Sequence, residues 1–162
     1  FLLSIIFLFS AMETSMASPI NDKTIKRNIE RKASDTFNHR LTKVNIAVEN
    51  GYVVLYGSVN KYIQKMTYEK IAWKTEGVVE VENEIRVIPV FSHTDADIAR
   101  NIKNIVKKYR QFQGVKINVT VKAGALSVRI TLDHPADVLF LKNRIAEIDG
   151  VTSIDITAKF IT

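Results

Sequence analysis

Asp22-Lys23-Thr24-Ile25-Lys26-Arg27-Asn28-Ile29 recurs as Asp95-Ala96-Asp97-Ile98-Ala99-Arg100-Asn101-Ile102, with the Asp, Ile, Arg, Asn and Ile kept in place. The second copy starts 73 positions after the first (95 − 22). The same displacement carries Lys43-Val44-Asn45-Ile46-x-Val48-x-x-Gly51 onto Lys116-Ile117-Asn118-Val119-x-Val121-x-x-Gly124, and Gly77-Val78 onto Gly150-Val151. One block alone is within reach of coincidence. Three blocks at one spacing, with no insertion between them, mark an internal duplication, and a duplication decides architecture before any single element is assigned.

Each copy reads as helix, strand, strand, helix, strand. Ile25 and Ile29 stand four apart on one helical face, with Asn21 or Asp22 as the N-cap in the first copy and Thr94 or Asp95 in the second. Val44, Ile46 and Val48 alternate, Asn50-Gly51 supplies a tight turn, and Val53, Leu55, Gly57 and Val59 alternate back, a hairpin with one buried face. Asn60 and its counterpart Asp133 are expected to cap a second helix, with Pro135 in its first turn and Gly77 and Gly150 beyond its end. In the closing strand Val79, Val81, Ile85 and Val87 are expected to face in, and Glu80, Glu82, Glu84 and Arg86 out; the second copy offers Ile154, Ile156, Ala158 and Phe160. The fold class is therefore α+β: two tandem αββαβ domains, each a three-stranded sheet with two helices on one face and a polar face opposite.

The chain has 162 residues, 46% hydrophobic and 25% charged, an ordinary globular composition. It has no cysteine, which excludes disulfides, thiolate metal sites, cysteine nucleophiles and a cysteine-borne lipid anchor. Lys plus Arg is 23 against 17 acids, a net charge of +6 that suits anionic partners. The run Phe1 to Phe9, FLLSIIFLF, is too short to span a bilayer and is followed by Ser15-Met16-Ala17, with small residues where a signal peptidase reads them. Residues 1–17 are therefore expected to be a secretion signal cut after Ala17, its basic n-region and initiator Met missing; an uncleaved anchor is the alternative. Residues 18–88 form the first domain, 89–93 a short linker and 94–162 the second domain.

The pattern Asn50-Gly51-x-Val53-x-Leu55-x-Gly57-x-Val59, then a helix carrying Ala72, then Gly77-Val78-x-x-Val81-x-Asn83, resembles the BON domain, named for bacterial osmotically induced and nodulation proteins. The resemblance covers about Ile20 to Ile88 and Thr94 to Ile161, as tandem copies. The second copy has Ile130 for Gly57, Ile145 for Ala72 and Ile156 for Asn83, so its helix packing is expected to differ. The resemblance implies secretion to the periplasm of a Gram-negative bacterium and binding to envelope membrane or protein rather than catalysis. Proteins with two such domains include a soluble osmotic-stress protein and an outer-membrane lipoprotein that binds anionic phospholipid; without cysteine, this chain is more similar to the soluble kind.

The chemistry-bearing residues point away from catalysis. His39, His93 and His134 fall in separate loops or helix starts with no second ligand at metal spacing, so no metal site is expected. G-x-S-x-G, Walker A and G-x-G-x-x-G are all absent, so neither an enzyme nor a nucleotide cofactor is indicated. Asp133-His134 near Ser127 or Ser153 reads as a helix cap rather than a catalytic pair. Glu80, Glu82 and Glu84, at period two, read as a solvated strand edge.

The first helix of the second copy carries the candidate site. At about 100° per residue, Ile98, Ile102, Ile105 and Tyr109 form the core stripe, and Arg100, Lys103, Lys107 and Arg110 centre roughly 160° away as a basic ridge. In the first copy Glu30 interrupts Lys23, Lys26, Arg27 and Arg31. The ridge, with Tyr109 and Phe112 as aromatic anchors, is the expected contact for an anionic phospholipid surface; the plain alternative is a solvated helix face with core aromatics. Nucleic acid is disfavoured by the secretion signal and by the lack of interleaved exposed aromatics. A protein-interaction or chaperone-like module, using sheet edges and Trp73 instead of the ridge, is the alternative function. The oligomeric state is left open.

Overall fold

A computed structural model describes residues 20–37, 42–91 and 93–160. The elements are α1 (Asp22–Thr36), β1 (Thr42–Glu49), β2 (Tyr52–Val59), α2 (Tyr62–Trp73), β3 (Glu80–Val87), α3 (Asp95–Lys108), a short 3-10 turn (Arg110–Phe112), β4 (Ile117–Lys122), β5 (Ala125–Leu132), α4 (Pro135–Ala146) and β6 (Ser153–Phe160). Displaced by 73 positions, β2, α2 and β3 fall on β5, α4 and β6 residue for residue. The secretion-signal segment, His39 and residues 161–162 lie outside the described residues.

The two three-stranded sheets have orders β1-β2-β3 and β4-β5-β6. Each begins with an antiparallel hairpin, Glu49 opposite Tyr52 and Lys122 opposite Ala125. A helix then crosses over, so the third strand runs parallel to the second and the most buried strand sits in the middle. The hairpin turns place two consecutive residues at positive φ, Asn50 (52°) and Gly51 (79°), then Ala123 (50°) and Gly124 (77°), the geometry that matches strand twist. Asp22 accepts hydrogen bonds from the Asn50 and Gly51 amides (2.8 and 2.9 Å), and Asp95 from the Ala123 and Gly124 amides (3.0 Å each). The duplicated Asp therefore ties the start of each first helix to the turn of its own hairpin, while Asn21 and Thr94 do the capping, accepting from the amides of Thr24 and Asp97.

One core lies between each sheet and its helix pair. In the first, Ile25 and Ile29 of α1 and Ala72 of α2 meet Leu55, Val53 and Ile85 of the sheet, all fully buried. In the second, Ile98, Ile102, Leu141 and Ile145 meet Val128, Ile130 and Leu132. The departures in the second copy differ in backbone and in side chain. Gly57, at φ 121°, lies so close to β1 that an added Cβ would stand 2.0 Å from the Lys43 carbonyl, whereas its counterpart Ile130 is not at positive φ and is buried in the core. Tyr68 stacks on Phe37 at 4.7 Å in the first core, and the counterparts of Tyr68 and Ala72 in the second, Leu141 and Ile145, are both fully buried. Asn83 donates to the Lys65 carbonyl (3.2 Å) and to Glu69 (3.0 Å), fastening α2 to β3; its counterpart Ile156 packs on the core instead.

Several expectations are corrected. The caps of α2 and α4 are Lys61 and His134, one residue beyond Asn60 and Asp133, because Gln64 reaches back to accept from both the Asn60 and Lys61 amides (3.0 and 2.9 Å) and Pro135 occupies the first turn of α4. Val79 and Phe160 are exposed rather than inward: Val79 precedes β3 and its amide donates to the Gly51 carbonyl, and Phe160 is the last residue of β6. In α3 the buried stripe is Ile98, Ile102 and Val106; Ile105 and Tyr109 are only partly buried.

The two units touch through α2 and α4. The Tyr62 ring at the start of α2 packs against the core of the second unit, and Lys61 pairs with Asp149 at 2.9 Å. Burial pushes the Tyr62 phenol above its ordinary value of 10.0, Glu69 adds to the rise, and a hydrogen bond with the Ile154 backbone opposes it. Trp73 stays 51% exposed and lines a groove between α2 and α4 with Met66 and Leu139.

Candidate functional site

α3 sets the site. Thr94 and Asp97 start it reciprocally: the Asp97 amide donates to the Thr94 hydroxyl (3.1 Å), and that hydroxyl donates to the Asp97 carboxylate (2.6 Å). The Thr94 bond and the Arg100 guanidinium together hold the Asp97 carboxyl below its ordinary value of 3.8, the Thr94 bond most. The helix runs on to Lys107 and Lys108, whose charges sit where the helix dipole favours cations.

The structure divides the expected ridge. Arg100 is engaged by Asp97, with its guanidinium 2.9 Å from the carboxylate, so its charge is compensated at the N-terminal end. Lys103 and Lys107 are exposed on the following turns, and among the described residues neither takes part in an ion pair. Arg110 is exposed but belongs to the 3-10 turn, since Tyr109 leaves helical geometry (φ −98°, ψ 130°) and ends α3. A helical wheel carried through Tyr109 and Arg110 therefore overruns the helix. In the first unit Lys26 lies 3.9 Å from Glu30, a half-exposed pair on the helix corresponding to α3.

Phe112 requires a correction. The sequence places it as an aromatic anchor, but the 3-10 turn packs against α3 and leaves Phe112 1% exposed, with the Phe140 ring 6.1 Å away. Tyr109 is packed too: its ring meets Phe140 edge-on at 4.8 Å, with Lys108 and Arg144 about 5.8 and 5.9 Å from its centroid. Neither ring is a projecting anchor.

The same turn creates something the sequence did not announce. Lys103 and Lys107 line a hollow of 410 Å³ with Val106, Phe112, Gln113, Gly114, Val115 and Ile117, of which Val106 and Phe112 are buried and Val115 and Ile117 half-buried. Two cations over an apolar recess can hold an anionic head while accepting part of an apolar body, the amphiphilic arrangement typical of interfacial contacts. Val115 and Ile117 lie beyond the helix in sequence, so no helical wheel joins them to Lys103. Among the described residues no three His, Asp or Glu side chains gather as a metal-ligand set, and no helix is long and apolar enough to cross a membrane. His93 lies in the exposed connector against Gly150, and His134 caps α4.

Residues 21–89 match the BON domain, so a BON domain is present over the first unit. Among curated proteins none matches. Two solved structures of CdsD, a structural protein of the type III secretion system of Chlamydia trachomatis, show a weak likeness. The structure of its C-terminal domain is 15% identical with a TM-score of 0.31, over 86% of this chain and 66% of that one. The other is 10% identical with a TM-score of 0.31, over 83% of this chain and 91% of that one.

Proposed function

We propose that this is a tandem BON protein of the Gram-negative periplasm that docks on anionic phospholipid surfaces through α3 of the second unit, in a non-enzymatic role supporting envelope integrity under osmotic or related stress. The family match to the first unit supports the class, and the 73-residue correspondence of β5, α4 and β6 supports extending it to the second. The observation that carries the docking is the pairing of Lys103 and Lys107 with the apolar hollow of Val106, Phe112, Val115 and Ile117. Each basic residue near an anionic surface contributes about 1 kcal/mol, and a small apolar recess adds area that salt does not screen. Export rests on residues 1–17 and implies a mature N-terminus at Ser18, which mass analysis of the periplasmic fraction checks.

The test is cosedimentation with liposomes of graded phosphatidylglycerol content in phosphatidylcholine. Wild-type binding is expected to rise with anionic lipid and to fall as the Debye length shrinks from about 30 Å at 0.01 M salt to about 8 Å at 0.15 M. Lys103→Glu with Lys107→Glu should remove binding with an unchanged circular dichroism spectrum. Arg100→Gln together with Asp97→Asn should matter little, because it removes a cation along with the carboxylate that already pairs it. No wild-type binding at low salt, or binding unchanged in the double variant, rejects this function.

A further inference from the structure

The two uncovered sheet faces carry opposite charge. On the first, the register lines up Tyr52 with Glu49 and Glu80, Val54 with Glu82, and Tyr56 with Glu84. Tyr52 and Tyr56 are 51% and 44% exposed, an aromatic strip flanked by four carboxylates, with Lys43 and Arg86 confined to the far end. On the second, Lys122, Arg129 and Lys159 lie on the corresponding face with Lys116 beside β4, against one carboxylate, Asp155, and no aromatic ring stands among these residues. None of these charges is in an ion pair among the described residues. Glu80, Glu82 and Glu84 repeat every second residue, about 7 Å apart, so they repel one another until a cation approaches.

The relief of the two faces matches their charge. Tyr52, Glu80 and Glu82 border a hollow of 400 Å³ on the first face; Lys116, Arg129 and Lys159 converge on one of 340 Å³ on the second, with Asn118, Thr131 and Thr157. A guanidinium or ammonium entering the first hollow would meet the Glu80 and Glu82 carboxylates beside the Tyr52 side chain. Within one chain the faces cannot close on each other: the helices cover the inner side of each sheet, and the units touch through α2 and α4, which turns both open faces away from the contact.

We propose that the outer face of the β1-β2-β3 sheet docks on the outer face of the β4-β5-β6 sheet of a second copy of this chain. The two faces have the same strand number and matching elements, so they meet as sheet on sheet, with Tyr52 and Tyr56 supplying flat area and the charges setting orientation. The contact is head-to-tail and leaves one free face of each kind, so assembly grows with concentration instead of stopping at a closed dimer. It does not depend on α3.

Sedimentation velocity on the full chain tests this at 10 mM and 500 mM salt. The wild type should associate at low salt and weaken at least tenfold at high salt. Glu82→Lys with Glu84→Lys should be monomeric, as should Arg129→Glu with Lys159→Glu. Because each variant keeps one native face, mixing them should restore association between the two. Lys103→Glu with Lys107→Glu should associate as the wild type does, which separates this contact from lipid docking. The proposal is overturned if the wild type stays monomeric at millimolar concentration and low salt, if only one of the two face reversals has an effect, or if mixing restores nothing. Circular dichroism confirms that each variant is folded, and the single Glu84→Lys exchange, expected to weaken association in part, serves if a double variant is not.

Discussion

Ala123 occupies a conformation that its counterpart Asn50 adopts with less strain. Both stand first in a two-residue turn at φ near 50°, which costs an L-residue other than Asn or Gly about 1 kcal/mol or more. Ala123→Asn should therefore stabilise the second unit by about 0.5–1 kcal/mol, read as a rise in the urea midpoint without a change in slope. Asp95 acts on the same turn. Asp95→Ala strands two turn amides and should cost about 1–2 kcal/mol, the amides being partly reached by water, with Asp22→Ala doing the same in the first unit. The duplication exposed both Asp residues in the sequence, but as capping candidates. Their true role depends on a turn 28 residues away, which spacing along one helix does not report.

At the scale of the element, α3 shows where periodicity stops being informative. A wheel assumes about 100° per residue for as long as the helix lasts, and nothing in the apolar spacing marks Lys108 as its end. Beyond it, Tyr109 and Phe112 turn inward because the Phe140 ring of α4 awaits them, a partner that follows only after the whole β4-β5 hairpin. The other end of α3 is set locally by Thr94 and Asp97. The folded-state pKa of Asp97 is depressed, so its contribution is present above the ordinary value of 3.8 and lost as pH falls below it. Protection factors of the Ala99 and Arg100 amides, exchange being corrected for its intrinsic pH dependence, are expected to fall as pH drops below 3.8, and Asp97→Asn should remove that change.

The relation between the two units is a property of the whole molecule. Tyr62 leaves its own unit to pack on the other, so Tyr62→Ala should uncouple them, and a thermal transition that is single in the wild type should separate into two. The phenol titrates above 10.0 in the folded state, so the contact holds through neutral pH and is lost as pH rises through the folded pKa; the wild type should approach the Tyr62→Ala behaviour only in that alkaline range. Lys61→Ala should change little beside it, since its pair with Asp149 is 44% and 45% exposed on the two sides and exposed pairs contribute about 0–1 kcal/mol.

The order of elements, the αββαβ unit and its duplication were legible in the chain itself, because alternation, turn residues and a constant displacement are local or self-referential signals that need no partner to be recognised. Lys103 and Lys107 were legible as exposed cations for the same reason. What surrounds them was decided by tertiary structure: the inward Phe112, the Val115 and Ile117 wall of the hollow, and Tyr62 as the bridge between units. These depend on residues distant in sequence meeting in space, where alternation and turn chemistry, being local, carry no information.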